Sequence, residues 1–176
     1  MKIEIRIGGL GGQGVILAGH ILGKAAAYDE RNAVQTQSYG AEARGSITKS
    51  EVKISNKKIG FPAITKCDVL IVMNQEALDK YLIDLKTDGT LIIDSTTVKP
   101  PKLQEKARLF RIAATENAER IFGAKVYANM LMLGALAKVT GVVSDSSLEK
   151  AIRDITEKKT ASINVQAYRK GKELVQ

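Results

Sequence analysis

The chain has 176 residues, with 27 basic and 19 acidic side chains, one cysteine, one histidine and no tryptophan. An iron–sulfur cluster usually takes four Cys ligands, and a structural zinc ion takes four Cys or His ligands. Cys67 and His20 cannot supply either set, and a single cysteine excludes an intrachain disulfide. We therefore predict no metal site, and we find no Ser-His-Asp or Cys-His arrangement that would predict catalytic residues.

Length and charge narrow the remaining classes of protein. We predict one domain over residues 1–176, with C-terminal helices from about 115 to 176 packing on a sheet. The net charge of +8 suits nucleic acid, an anionic cofactor or an acidic partner protein. Nucleic acid is not favoured, since aromatic residues do not interleave with a basic stripe. The chain contains no run of about 18 apolar residues, so we predict no membrane span. The N-terminus lacks a signal-peptide pattern, and we therefore expect a cytoplasmic protein.

The first half of the chain alternates predicted strands and helices. Ile3, Ile5 and Ile7 alternate with charged residues, which predicts a strand. A glycine-rich run at 8–14 follows, and then an apolar helix at 15–28. Further strands are predicted at 33–37 and 46–55, and this closely spaced pair is a candidate for antiparallel pairing. The order predicts an α/β fold of three layers, Rossmann-like, with a mainly parallel sheet and an N-terminal glycine-rich loop.

The second half continues the pattern and then becomes helical. A continuous apolar run at 69–73 predicts a buried parallel strand, and Asn74 is placed to cap a helix over 75–82. Gly89 is expected to end a turn before a strand at 91–93, and a last strand is predicted at 108–113. Helices are predicted at 128–139, after a capping box at 146–149, and at 160–174.

The glycine-rich run fits the pattern G-x-G-x-x-G at residues 9–14, directly between a strand and a helix. Glycines let backbone amides approach a ligand closely, and the helix directs its positive end at the same place. The run therefore predicts either a phosphate site or a tight turn. A nicotinamide site is poorly supported, because the second strand ends in Gln35, Thr36, Gln37 and Ser38 instead of an acidic residue. A P-loop is excluded because no G-K-[ST] follows.

Three other segments carry candidate functional residues. In the segment 38–45, Glu42 and Arg44 form an ion pair, or Arg44 binds a carboxylate or phosphate, or the segment is a surface loop. Asp94 ends a predicted strand and either lines the crevice beside the glycine run or caps that strand. Asn129 opens the apolar helix as a cap or an interface hydrogen bond, and Gly134 would let another helix approach closely.

Four segments together resemble a known family. They are GLGGQGV at 9–15, SYGAEARG at 38–45, LIIDS at 91–95 and NMLMLGAL at 129–136. The chain resembles the gamma subunit of 2-oxoacid:ferredoxin oxidoreductases of the 2-oxoglutarate and pyruvate types, and most closely the 2-oxoglutarate type. The resemblance covers essentially the whole chain. Ser46 departs from the pattern, which has a second glycine there.

The resemblance implies an accessory subunit of a complex that converts a 2-oxoacid to an acyl-CoA and reduces ferredoxin. It implies that thiamine diphosphate and the iron–sulfur clusters belong to partner subunits, that this chain helps to bind coenzyme A, and that the isolated chain is inactive. This chain would interact with ferredoxin only indirectly. Whether the isolated chain forms a homodimer stays open. The implied cofactor-binding residues are Gly9, Gly11, Gly12, Gln13, Gly14, Ser38, Tyr39, Glu42 and Arg44.

Two alternative functions remain open on the residues alone. The literal G-x-G-x-x-G pattern also suits a free-standing dinucleotide-binding oxidoreductase. The apolar helix around 130–136 suits a purely structural interaction module whose loops contact only protein.

Overall fold

The computed structural model describes residues 1–40 and 45–176, so Glu42 and Arg44 lie outside the described residues. Within these ranges the chain forms one six-stranded sheet and six α-helices. The strands are β1 (Lys2–Leu10), β2 (Asn32–Ser38), β3 (Ile47–Ser55), β4 (Cys67–Val72), β5 (Leu85–Asp94) and β6 (Arg108–Ile112). The helices are α1 (Val15–Tyr28), α2 (Gln75–Tyr81), α3 (Ala114–Phe122), α4 (Ala128–Thr140), α5 (Asp145–Ile155) and α6 (Lys158–Glu173).

The sheet is mixed, with the strand order β2-β3-β1-β4-β5-β6. Strands β1, β4, β5 and β6 run parallel, whereas β3 pairs antiparallel with both β1 and β2. The antiparallel pair among residues 33–55 and the mainly parallel remainder are therefore confirmed. Because the parallel strands run in one direction, the glycine run after β1 and Asp94 at the end of β5 lie at the same edge of the sheet.

Helices cover both faces of the sheet, as the predicted three layers require. One face packs against α1 and α4 around a core that includes Ile5, Ile71 and Ile92. The other face packs against α2 around Leu70, Leu91 and the ring of Tyr81. This alternation follows from the strand pleat, which sends successive side chains to opposite faces.

The C-terminal helices extend the α1 side of the molecule. Helix α4 contacts β5, whereas α5 packs on α1 and α6 packs on α4. An added Cβ at Gly134 of α4 would lie 2.0 Å from the Tyr168 carbonyl oxygen, so α6 crosses α4 in close contact there. The expectation that Gly134 admits another helix is confirmed. No helix in the described part of the chain is both long and apolar enough to cross a bilayer.

Local signals at helix ends and turns were predicted with mixed success. Asn74 caps α2 as expected, with its side-chain oxygen accepting from the Ala77 amide at 2.9 Å. The predicted cap of α5 is wrong, because Ser144 and not Ser146 accepts from the first-turn amide of the helix. The turn expected at Gly89 is also wrong: Gly89 lies inside β5, where the pairing register with β4 shifts.

Candidate functional site

The glycine run forms a short loop between the end of β1 and the start of α1. Gly12 and Gly14 adopt φ angles of +91° and +74°, a left-handed backbone that glycine adopts without steric penalty. The Gly11 amide donates to the Ser46 carbonyl at 3.0 Å, which ties the loop to the residues before β3. The sequence therefore needs glycine at 12 and 14 to turn the chain sharply from strand to helix.

The Gln13 side chain holds this loop in shape. Its Oε1 atom accepts from the Leu10 amide at 2.7 Å, and its Nε2 atom donates to the Met73 carbonyl at 3.0 Å. An added Cβ at Gly9 would lie 2.7 Å from Gln13 Oε1, so glycine at position 9 makes room for this side chain. Both ends of the Gln13 amide thus bind the protein itself, which gives Gln13 and Gly9 a part in shaping the loop.

Helix α1 presents unpaired amides to the loop. Its first intrahelical hydrogen bond runs from the Ala18 amide to the Gly14 carbonyl at 3.0 Å. The amides of Val15, Ile16 and Leu17 therefore lack helical partners, and no side chain in the described ranges caps this helix. A 14-residue helix carries a partial positive charge at this end. The arrangement suits an anion that accepts several hydrogen bonds.

A cleft of about 330 Å³ lies beside the loop, and the first three residues of α1 belong to its lining. Gly11, Gly12 and Gly14 line the cleft together with Tyr39 and Thr48. Tyr39 is 63% exposed, so its ring is available to a ligand. Thr48 was missed from the sequence, although its pairing with Gly9 across β1 and β3 brings it to this place.

The predicted site residues thus divide into groups. The cleft lining includes Gly11, Gly12, Gly14 and Tyr39. Ser38 is exposed at the end of β2 and is not part of that lining. The roles assigned to Glu42 and Arg44 stay predictions, because both residues lie outside the described ranges.

Asp94, which was predicted to line the crevice or to cap its own strand, caps a helix instead. Its carboxylate is fully buried and accepts from the Ala114 and Thr115 amides at 3.1 Å each. It also accepts from the Thr96 amide at 3.1 Å. Asp94 therefore caps α3 from the neighbouring strand, which leaves its oxygens occupied within the protein.

The single cysteine and histidine have no part in the cleft lining. Cys67 is buried, and burial raises the pKa of its thiol to about 12. His20 is exposed on α1. Among the described residues, no three His, Cys, Asp or Glu side chains cluster to hold a metal ion.

Two basic side chains are buried and paired inside the fold. Arg6 on β1 is 2% exposed, and its Nε atom donates to Glu51 at 2.8 Å. Lys53 on β3 is 5% exposed and pairs with Glu4 at 3.0 Å. The Lys53 ammonium also donates to two backbone carbonyls of the loop after β3, at 2.9 Å each. These buried cations stabilise that loop and are already paired, so they are not free to bind a ligand.

The chain is similar to known proteins over nearly its whole length. A family model described as pyruvate ferredoxin/flavodoxin oxidoreductase matches residues 4–174. The chain belongs to this family. The 2-oxoglutarate synthase subunit KorC of Methanocaldococcus jannaschii is 47% identical over 176 residues, which cover 99% of this chain and 94% of that protein.

Two solved structures extend the comparison. The gamma subunit of a keto/oxoacid ferredoxin oxidoreductase from Geobacter sulfurreducens superposes with a TM-score of 0.86 at 42% identity, covering 97% of this chain and 96% of that one. The 2-oxoglutarate:ferredoxin oxidoreductase from Magnetococcus marinus, solved with 2-oxoglutarate, coenzyme A and succinyl-CoA bound, gives a TM-score of 0.90 at 25% identity. This chain spans 31% of that longer chain. The predicted assignment to the gamma subunits of 2-oxoacid:ferredoxin oxidoreductases, and so to part of an enzyme complex, is confirmed.

Proposed function

We propose that this gamma subunit serves a complex that converts 2-oxoglutarate to succinyl-CoA and reduces ferredoxin, and that its glycine loop binds a phosphate group of coenzyme A. The choice of 2-oxoglutarate is supported by the 47% identity to a 2-oxoglutarate synthase subunit. The choice of coenzyme A is supported by the related Magnetococcus marinus enzyme, which was solved with that molecule bound. Thiamine diphosphate and the iron–sulfur clusters are assigned to partner subunits, through which ferredoxin is reached. Without its partners the chain is proposed to form a homodimer.

The observation that carries the phosphate assignment is the uncapped start of α1. The amides of Val15, Ile16 and Leu17 are donors only, and phosphate oxygens are acceptors that also carry negative charge. Gly11 and Gly12 border the same cleft without a side chain, so a bulky anion can reach the amides. The amide donors of α1, the partial positive charge at this end of the helix and the open access from the cleft therefore all suit a phosphate group.

The size of the cleft limits how much of the ligand this chain holds. A volume of about 330 Å³ fits the phosphate-bearing part of coenzyme A and not the whole molecule. Tyr39, with its ring exposed beside the loop, is placed to contact the adjoining part. When bound, coenzyme A supplies the thiol that accepts the acyl group. The residues of this chain bind and orient the phosphate end, and we assign no proton transfer to them.

Gly11 offers a clean test of this proposal. An added Cβ there would lie 3.9 Å from Thr48 Oγ1, an ordinary contact, and Gly11 is not among the glycines with positive φ. Gly11→Asp therefore adds a negative charge to the cleft without the backbone strain that any side chain would cause at Gly12. Gly11→Asn adds nearly the same volume without the charge and is the matched control.

The variants are to be compared in the assembled complex by steady-state kinetics. A carboxylate about 6 Å from a phosphate, at an effective dielectric constant of about 40, adds roughly 1.4 kcal/mol of repulsion per unit charge. We expect Gly11→Asp to raise the KM for coenzyme A at least about tenfold, with Gly11→Asn changing it less than about threefold and the KM for 2-oxoglutarate unchanged in both. Equal KM values for coenzyme A in the two variants would refute the phosphate site and favour a purely structural role.

A further inference from the structure

Asn129, in the first turn of α4, touches the glycine loop at Gly14. Its side chain is buried, with the residue 2% exposed, and its Nδ2 atom donates to the Gly14 carbonyl at 3.3 Å. An added Cβ at Gly14 would lie 2.2 Å from this Nδ2 atom. Glycine at position 14 therefore serves two needs, the left-handed turn and the close approach of the Asn129 amide.

The stability of the fold does not explain an asparagine at this position. The Asn129 Oδ1 atom is buried without a hydrogen-bond partner in the described part of the chain, and an unpaired buried acceptor destabilises the folded state. The Gly14 carbonyl needs no second donor, because it already accepts from the Ala18 amide at 3.0 Å. The following residues of α4, from Met130 to Ala137, are all buried and carry no polar side chain. A leucine at 129 would thus leave no group unpaired.

The Asn129 contact acts on the peptide group that joins Gly14 to Val15, and both of these residues line the cleft. The Gly14 carbonyl and the Val15 amide belong to one planar trans peptide, so their C=O and N–H bonds point in opposite directions. A hydrogen bond on the carbonyl oxygen fixes that plane and polarises the amide on its other side. Val15 lies in the lining of the cleft, and its amide is the first unpaired donor of α1.

We propose that Asn129 is a positioning residue for coenzyme A. By holding the Gly14 carbonyl from the α4 side, it directs the Val15 amide into the cleft and makes that amide a stronger donor to the bound phosphate. This role rests on the proposed phosphate site and adds to it a residue that lies outside the cleft lining. It also explains why a buried acceptor is left unpaired inside an otherwise apolar helix.

The test combines kinetics of the assembled complex with thermal unfolding of the full chain. Asn129→Leu removes the amide and keeps a similar volume. Because one hydrogen bond is weakened, we expect the KM for coenzyme A to rise about 3- to 10-fold, with kcat and the KM for 2-oxoglutarate within about twofold of the wild type. Because the unpaired acceptor is also removed, we expect the Tm to stay the same or to rise. A packing role would predict the opposite change in Tm.

Two further variants keep this test decisive. Asn164→Leu removes another buried amide, which donates to the Thr160 carbonyl at 2.9 Å within α6, and it should leave the KM for coenzyme A within about twofold of the wild type. Asn129→Ala removes the amide without adding volume and should reproduce the KM change if leucine perturbs α4.

Two outcomes would overturn the positioning role. The first is a KM for coenzyme A that falls or stays the same in both Asn129→Leu and Asn129→Ala. The second is a clear loss of Tm in both substitutions alongside the rise in KM, which would assign Asn129 to packing. Gly11→Asp separates the two proposals: if it raises the KM and the Asn129 variants do not, only the positioning role fails, and if none of them does, both fail.

Discussion

Replacing Gly171 by alanine should force helices α4 and α6 apart. An added Cβ at Gly171 would lie 1.9 Å from the Leu131 carbonyl oxygen and 2.6 Å from the Leu131 Cα atom. Both of these are backbone atoms, so no side-chain rotation relieves the contact. Carbon and carbonyl oxygen normally stay about 3.3 Å apart, and α6 therefore has to move outward by roughly 1 Å.

The expected loss of stability follows from two opposing contributions. Overpacking costs about 1–3 kcal/mol, and a clash between two backbones belongs at about the upper end of that range. Alanine in place of glycine inside a helix returns about 0.5–1 kcal/mol. The net loss in the free energy of unfolding is therefore about 2 kcal/mol, which lowers the Tm by about 4–8 °C for a chain of this length.

Gly23 in α1 provides the matched control for Gly171. An added Cβ at Gly23 meets no atom within 4 Å, so Gly23→Ala keeps the helix-propensity gain without the clash. We expect its Tm to rise by about 1–4 °C. Thermal unfolding of the full chain, followed by circular dichroism, measures both variants. A Tm for Gly171→Ala at or above the wild-type value would refute the close crossing of α4 and α6.

Three further predictions concern buried or paired groups. Asp94→Asn should lower the Tm by about 4–12 °C, because an amide group would face the α3 amides that the carboxylate now accepts from. Burial tends to raise the pKa of Asp29, but hydrogen bonds from Ser144 and Ser147 outweigh it and lower that pKa. The stability from Asp29 is therefore present above its unfolded pKa of about 3.9 and lost as the pH falls further, so the Tm difference between wild type and Asp29→Asn should be largest near pH 7 and shrink below about pH 4. Because burial raises the pKa of Cys67 to about 12, iodoacetamide at pH 8 should label this thiol only after denaturation, and rapid labelling of the native chain would contradict its burial.

Local patterns predicted much of the fold. Alternation of isoleucine with charge located β1, the continuous apolar run located β4, and a side chain able to accept from the helix amides identified Asn74 as a cap. These features depend on neighbours within a few residues, which the sequence displays directly. The glycine run was likewise placed between a strand and a helix from its flanks alone.

Contacts between distant segments could not be predicted in the same way. The Gln13 side chain donates to the Met73 carbonyl, 60 residues away along the chain, which the local pattern does not display, and its part in binding a cofactor stays a prediction. The cap of α5 was misplaced by two residues because several serines fit the pattern. The residue that forms the cap, Ser144, also donates to Asp29 at the C-terminal end of α1. Asp94 acts as a cap because α3 starts beside the end of β5, a placement that the local sequence does not display. Each outcome depends on tertiary placement that overrides local preference.

Hydrogen–deuterium exchange of the assembled complex, with and without coenzyme A, shows whether the glycine loop binds this molecule. We expect coenzyme A to slow exchange of the amides at 11–17, where the uncapped start of α1 meets the glycine loop. The same protection should be lost in Gly11→Asp and retained in Gly11→Asn. Protection by coenzyme A elsewhere in the complex, with unchanged exchange at 11–17, would contradict the claim that this loop binds the phosphate.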